Sequence, residues 1–154
     1  MPRAPRNDAG FTLIELILVI VITAALAVFA LPKVLDTTLW RLRSFGDELT
    51  ARHQAMLRLA LQQRRPIRAT FNLDRVSWDY VSGGSLGTLP CPATESPCLN
   101  SGTPNGTSTV IFNINNTGAT ATSTGGDLTV TVASGSYSQA YRIEVDAGLI
   151  YPSP

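Results

Sequence analysis

An apolar segment near the N-terminus constrains this chain of 154 residues more than any other feature. Residues 11–31 contain a single charged side chain, Glu15, and about 20 apolar residues are enough for a helix to cross a bilayer. Much of the remaining chain is Ser, Thr, Gly and Asn, so its core is too small to bury such a helix. The segment is therefore predicted to be a membrane helix.

The residues before this segment, MPRAPRNDAG, are polar and carry two basic side chains, Arg3 and Arg6. A secretory signal peptide has its small-residue cleavage site after the apolar segment, but the sequence there is Leu31-Pro32-Lys33. This order predicts cleavage before the apolar segment, so that the helix stays in the mature protein. Because positive flanking residues stay in the cytoplasm, the N-terminus is predicted to be cytoplasmic and the rest of the chain external.

Glu15 is an unusual residue for an apolar helix. A carboxylate inside a bilayer costs on the order of 2.5–3.5 kcal/mol on insertion scales, and less near an interface. Many apolar residues would serve at this position, so the sequence indicates a functional charge that awaits a cationic partner. The alternative is a carboxylate that merely reaches the lipid headgroups.

Residues 10–15, GFTLIE, together with the basic leader and the apolar segment, resemble the N-terminal signal of type IV prepilins and type II secretion pseudopilins. The resemblance implies that a prepilin peptidase cuts between Gly10 and Phe11 and that the new Phe11 amine is methylated. It also implies that Glu15 is the glutamate used in assembly. The implied protein is a structural subunit and not an enzyme, with other pilin or pseudopilin subunits and an inner-membrane assembly platform as its partners.

Beyond the N-terminus the resemblance is weaker. Residues 48–71 combine an Ala-rich helix, a basic pair, a proline and a short strand, and so look like minor subunits of the pseudopilin H type. Minor subunits of the mannose-sensitive haemagglutinin pilus share this pattern. The resemblance implies a minor subunit that initiates or caps a filament. It would first be held in the bacterial inner membrane by a single helix, with its C-terminal head in the periplasm.

The predicted fold is α+β, with a long N-terminal hydrophobic helix packed on a small antiparallel β head, as in the pilin fold. Four regions are expected along the chain. They are a cleaved leader at 1–10, a transmembrane and assembly helix at 11–32, an amphipathic helical continuation at 33–65, and a periplasmic β head at 66–154.

Apolar residues recur every three or four positions through residues 35–56, which predicts one buried helical face. His53 lies on this face and is predicted to be a buried packing residue. Gly46 is expected to weaken the helix. Arg65-Pro66 should end it, because a residue before proline disfavours helical angles.

The β head is expected to contain one sheet packed against this helix. Residues 82–108 are expected to form a long loop rich in Gly, Pro, Ser and Thr, and residues 115–126 are expected to be a mobile segment of low complexity. Alternation of apolar and polar residues predicts strands at 67–73, 76–81, 110–114, 128–132, 141–145 and 149–151.

Cys91 and Cys98 are the only cysteines, and both lie in a Pro-rich segment far from the single histidine. Structural zinc normally needs four ligands, so a disulfide is predicted instead, which implies an oxidising compartment such as the periplasm. No metal, cofactor or catalytic constellation is predicted. Three carboxylates, Asp127, Glu144 and Asp146, could meet around a calcium ion, as carboxylates do in some pseudopilins. Their spacing in the sequence does not match a calcium-binding loop, so no calcium site is predicted.

Charge is divided unevenly along the chain. Residues 33–75 carry nine basic and four acidic side chains, whereas residues 76–154 carry one basic and five acidic ones. This division suits either docking between subunits or an ordinary solvated helix face. A pilus-tip module that contacts DNA or a surface is the alternative function, because clustered arginines can hold phosphates. The clustered arginines are Arg58, Arg64, Arg65, Arg68 and Arg75. Few aromatic residues lie among them to stack on nucleic-acid bases.

Overall fold

A computed structural model describes residues 12–34, 37–92, 96–102 and 106–153. The chain divides into two structural units, residues 1–36 and 37–154. The first unit contains helix α1 (Leu13–Val34), which is apolar along most of its length. The second unit contains helix α2 (Thr37–Gln63) and nine strands, all within its described part.

Helix α2 buries one face, as its sequence predicts. The helix ends at Gln63, and the Arg65 N–H donates a hydrogen bond to the Ala60 carbonyl, closing the last turn just before Pro66. The predicted helix end is therefore confirmed to within two residues. The buried residues, spaced mostly by three or four, are Leu42, Phe45, Gly46, Leu49, His53, Leu57 and Ala60.

The strands of the second unit form two antiparallel sheets. The first has the order β3-β2-β1-β5-β6, and the second has the order β4-β7-β8-β9. The strands are β1 (Ile67–Phe71), β2 (Arg75–Tyr80), β3 (Ser85–Pro90), β4 (Leu99–Asn100), β5 (Ser108–Ile114), β6 (Ala119–Thr122), β7 (Leu128–Ser134), β8 (Tyr137–Ile143) and β9 (Ile150–Ser153).

The α+β fold class is confirmed, since an N-terminal helix precedes an antiparallel β head consistent with the pilin fold. The expectation of a single sheet is wrong. After β3 the chain leaves the first sheet, pairs β4 with β7, and returns as β5 beside β1. Strand β4 is only two residues long, so no alternating pattern could have revealed it.

The segment expected to be a long loop and the segment expected to be mobile both contain strands. Residues 82–108 include β3 and β4, and residues 115–126 include β6. Backbone pairing with a neighbouring strand explains these elements, because β3 pairs with β2 and β6 pairs with β5. Strand β3 has one strand-favouring residue, Thr88, beside a glycine and a proline, and the threonines of β6 lie in a segment rich in Gly and Asn, so pairing with neighbouring strands decides both elements.

The core lies where the sheets meet α2. Trp78, Phe71 and Phe112 from the first sheet are fully buried, as is Leu49 from the helix. Burying a large apolar side chain contributes about 1.5–3 kcal/mol, so these residues dominate the stability of the second unit.

Gly46 has a packing role that the sequence does not reveal. A Cβ at this position would lie 1.9 Å from the Oη of Tyr141. Glycine therefore lets strand β8 approach the helix closely, and the loss of helix propensity is the cost of this contact.

Candidate functional site: the N-terminal processing and assembly segment

Helix α1 begins with a hydrogen-bonded cap. The Glu15 N–H donates to the Thr12 carbonyl at 3.1 Å and to Thr12 Oγ1 at 3.3 Å. Threonine at this position satisfies an N–H group that would otherwise lack a partner in the first turn. The spacing Thr-x-x-Glu is the sequence signature of a capping box, so the cap was detectable in the sequence although it was not among the predictions.

Glu15 lies in the first turn of α1. A carboxylate is favoured there by the positive end of the helix dipole. The residue is exposed, and no basic side chain among the described residues lies within ion-pair distance of it. This environment leaves its carboxylate open to a cation from outside the described part of the chain.

The apolar side chains of α1 are also exposed. Leu13 is 77 % exposed, Ile14 73 % and Phe29 78 %. A continuous exposed apolar surface of this kind is typical of a site that binds another protein or a membrane. No helix among the described residues combines the length and the hydropathy that a membrane span requires.

The predicted cleavage and methylation residues, Gly10 and Phe11, lie outside the described residues. Their assignment therefore stays a prediction. Of the predicted site residues in this segment, Glu15 is the one that the structure describes.

The predicted disulfide is present in the structure, which joins Cys91 to Cys98. Both cysteines are buried, and each is also tied by its backbone to the β1–β2 turn. The Cys91 N–H donates to the Asp74 carbonyl at 2.8 Å, and the Cys98 N–H donates to the Leu73 carbonyl at 3.1 Å. The disulfide thus fastens the connection between the first sheet and the second.

His53 is buried, as predicted. Its Nε2–H donates a hydrogen bond to the Gly148 carbonyl at 3.2 Å, and the edge of its ring meets Phe112. Nδ1 has no partner within the described part of the chain. Burial lowers the pKa of His53 to about 4, and the hydrogen bond to Gly148 opposes this shift only partly.

The carboxylates considered for calcium have other partners. Asp127 accepts hydrogen bonds from the Val145 N–H and from Arg142, which hold the pKa of its carboxyl below the ordinary value. Glu144 accepts a hydrogen bond from the Tyr151 hydroxyl. Across the described residues, no cluster of His, Cys, Asp or Glu is arranged to hold a metal ion.

The arginines considered for DNA binding are partly committed to other contacts. The guanidinium of Arg65 lies 4.0 Å from the centre of the Tyr80 ring and donates to Ser82 Oγ. Arg75 forms an ion pair with Asp74 at 2.7 Å. Of the five arginines considered, Arg75 is thus neutralised and Arg65 is engaged by neighbouring side chains.

Comparison with known families identifies the N-terminal segment. Residues 5–31 match a family model described as the prokaryotic N-terminal methylation motif. No curated protein and no solved structure matches the chain. The matched segment includes Gly10, Phe11 and Glu15. The chain therefore carries a prokaryotic N-terminal methylation motif, and the match covers residues 5–31 of its 154 residues.

Proposed function

We propose that this chain is a structural subunit of a type IV pilus-like or type II secretion pseudopilus filament. The observation that carries this proposal is the methylation motif at residues 5–31. The exposed apolar surface of α1, which begins within the motif, gives it further support.

The four regions of the chain would act in order. Prepilin peptidase removes residues 1–10, and the new amine of Phe11 is methylated. Residues 11–32 first anchor the subunit in the inner membrane and then pack against other subunits. Residues 33–65 continue into the head, which occupies residues 66–154 and lies in the periplasm until an inner-membrane platform adds the subunit to the filament.

Glu15 supplies the specific contact in this assembly. After cleavage, the Phe11 amine of a neighbouring subunit is a cation that can meet the Glu15 carboxylate. Two opposite charges about 4 Å apart attract by about 4 kcal/mol at an effective dielectric constant of 20, before desolvation is subtracted. This attraction biases the axial position at which a subunit joins, while the apolar helices supply most of the packing.

A minor subunit of the pseudopilin H type is the finer assignment that we propose. The Ala-rich end of α2, followed by a basic pair, a proline and strand β1, supports this assignment. The small head and its separated basic and acidic regions suit a subunit that initiates or caps a filament by docking on a neighbour.

Replacing Glu15 with alanine tests the assembly role. We expect Glu15→Ala to be inserted and cleaved normally but to be strongly depleted from sheared filament fractions on immunoblots. Glu48→Ala is the matched control, because Glu48 is a carboxylate on α2 that pairs with Arg52 on the same helix. Glu48→Ala should be incorporated at the wild-type level.

Incorporation of Glu15→Ala at the wild-type level would contradict the assembly role of this carboxylate. Equal depletion of both variants would also contradict it, because the effect would then follow from the loss of any carboxylate.

A further inference from the structure

A cavity in the second unit lies between the first half of α2 and strands β8 and β9. Its volume is about 290 Å³, close to the lower end of the range of about 300–1,000 Å³ that ligand pockets cover. Leu39 and Leu42 from the helix and Pro152 from β9 contribute apolar surface. Neither the disulfide nor the N-terminal segment takes part in it.

Strand β8 gives the cavity an aromatic wall. Tyr137, Gln139 and Tyr141 occupy alternate positions of the strand, so their side chains lie on one face. Tyr141 is 6 % exposed and Tyr137 is 37 % exposed, so the wall runs from a buried ring to an accessible one. The Gln139 amide donates to the Ser153 carbonyl at 3.0 Å, which fixes the middle of this wall against β9.

Helix α2 gives the cavity its charged groups. Arg43 and Asp47 lie one helical turn apart, and both line the cavity. Their opposite charges leave the lining close to neutral. Asp47 is near enough to Tyr141 that its negative charge adds to the effect of burial in raising the pKa of the tyrosine.

This combination of groups restricts what the cavity can bind. A purely apolar ligand would make no use of the hydrogen-bonding groups of Arg43 and Asp47, which are exposed at the rim of the cavity. Because the charges of Arg43 and Asp47 offset each other, a net charge on the ligand brings no advantage. A neutral ligand with many hydroxyl groups can accept from Arg43, donate to Asp47, and lay an apolar face on a tyrosine ring.

We propose that this cavity binds one pyranose unit of a neutral carbohydrate. The sugar stacks its C–H face on Tyr137 and directs hydroxyl groups to Arg43 and Asp47, which both line the cavity. The cavity is formed by α2, β8 and β9, so the proposal does not depend on filament assembly.

Saturation-transfer difference NMR tests this binding on the full-length chain in a zwitterionic detergent that contains no sugar. The probes are the methyl glycosides of glucose, galactose, mannose and N-acetylglucosamine, each at millimolar concentration. We expect at least one probe to show saturation transfer, and to shift the backbone amide signals of residues 137–141 in the wild-type protein. Absence of transfer to every probe would overturn the proposal.

Two variants locate the site. Tyr137→Ala and Asp47→Asn should each weaken binding at least tenfold and remove the signal. Tyr151→Ala is the matched control, since Tyr151 is also 37 % exposed but does not line the cavity. It should bind as the wild type does.

Undiminished binding by Tyr137→Ala would overturn the proposal. The proposal would also be overturned if sugar shifted only the amide signals of wild-type residues outside the cavity. Because this measurement uses the wild-type protein alone, it does not require either variant to fold. If the amide signals of residues 137–141 shift with protein concentration in the absence of sugar, the cavity binds a second copy of the chain. That result would contradict carbohydrate binding.

Discussion

Acidification should destabilise the second unit through His53. The pKa of this residue is lowered from 6.5 to about 4 because its ring is buried and meets no charged partner. Between these two values the unfolded chain binds a proton that the folded chain excludes. The contribution of neutral His53 to the free energy of unfolding is therefore fully present above about pH 6.5 and is lost as the pH drops towards 4.

The size of this effect follows from the two pKa values. Each pKa unit corresponds to about 1.36 kcal/mol, so the pKa difference for His53 predicts a loss of about 2 kcal/mol at pH 5 and about 3 kcal/mol well below pH 4. Protonation would also place an N–H on Nδ1, which has no hydrogen-bond partner in the described structure. The groups packed on the ring are Phe71, Phe112 and the Gly148 carbonyl, none of which can stabilise a full positive charge as a carboxylate would.

Urea unfolding of the full-length protein between pH 8 and pH 4 measures the effect. His53→Gln is the informative variant, because glutamine can still donate to Gly148 but does not titrate. It should be less stable than the wild type at pH 8, yet lose about 2 kcal/mol less between pH 8 and pH 5. Subtracting the two curves removes the contributions of Asp74 and Asp127, which are present in both proteins. If the unfolding free energies of the two proteins change in parallel with pH, His53 is not the group whose protonation destabilises the fold.

Three further substitutions test the packing of the second unit. Gly46→Ala should lower stability by about 1–3 kcal/mol through overpacking against Tyr141; a thermal unfolding midpoint equal to that of the wild type would show that β8 can move away. Asn113→Ala should cost about 1–3 kcal/mol in urea unfolding, because the Asn113 side chain donates to the Ala60 carbonyl and accepts from the Gly118 N–H; Asn113→Asp, which keeps only the acceptor, should lose the bond to Ala60 as well, and stability unchanged in both variants would exclude the role. Replacing Cys91 and Cys98 together with serine should cost about 2–3 kcal/mol in the loop-entropy model, and alkylation of both thiols in the unreduced wild-type protein would contradict the disulfide.

The N-terminal features were predictable because they depend on local sequence. The apolar segment, the position of Glu15 within it and the leader before it are read directly from residue order. His53 was also predictable, because a histidine among apolar residues at helical spacing lies on the buried face. Long-range packing adds little to these inferences.

The division into two sheets was not predictable, because it depends on contacts between distant residues. Strand β4 is held by pairing with β7 and by the bond from the Leu99 N–H to the Leu73 carbonyl, and neither contact leaves a local pattern. Gly46 illustrates the same limit. Its sequence context indicates a weak point in a helix, whereas its structural context is the close approach of Tyr141.

The cavity beside β8 also depends on tertiary structure. Tyr137 and Tyr141 have the spacing of residues on one face of a strand, which the sequence shows. Their position opposite Arg43 and Asp47 requires α2 to pack on the second sheet. Residues separated by about 90 positions then form one site, and local patterns do not reveal such a pairing.

Intact-mass spectrometry of the purified protein, expressed with and without a prepilin peptidase, tests the proposed cleavage after Gly10. We expect co-expression to remove residues 1–10 and to add the mass of one methyl group at Phe11, while the full precursor accumulates without the peptidase. Gly10→Leu should remain at precursor mass in both cases. An unchanged precursor mass in the presence of the active peptidase, or a mature N-terminus other than Phe11, would contradict processing between Gly10 and Phe11.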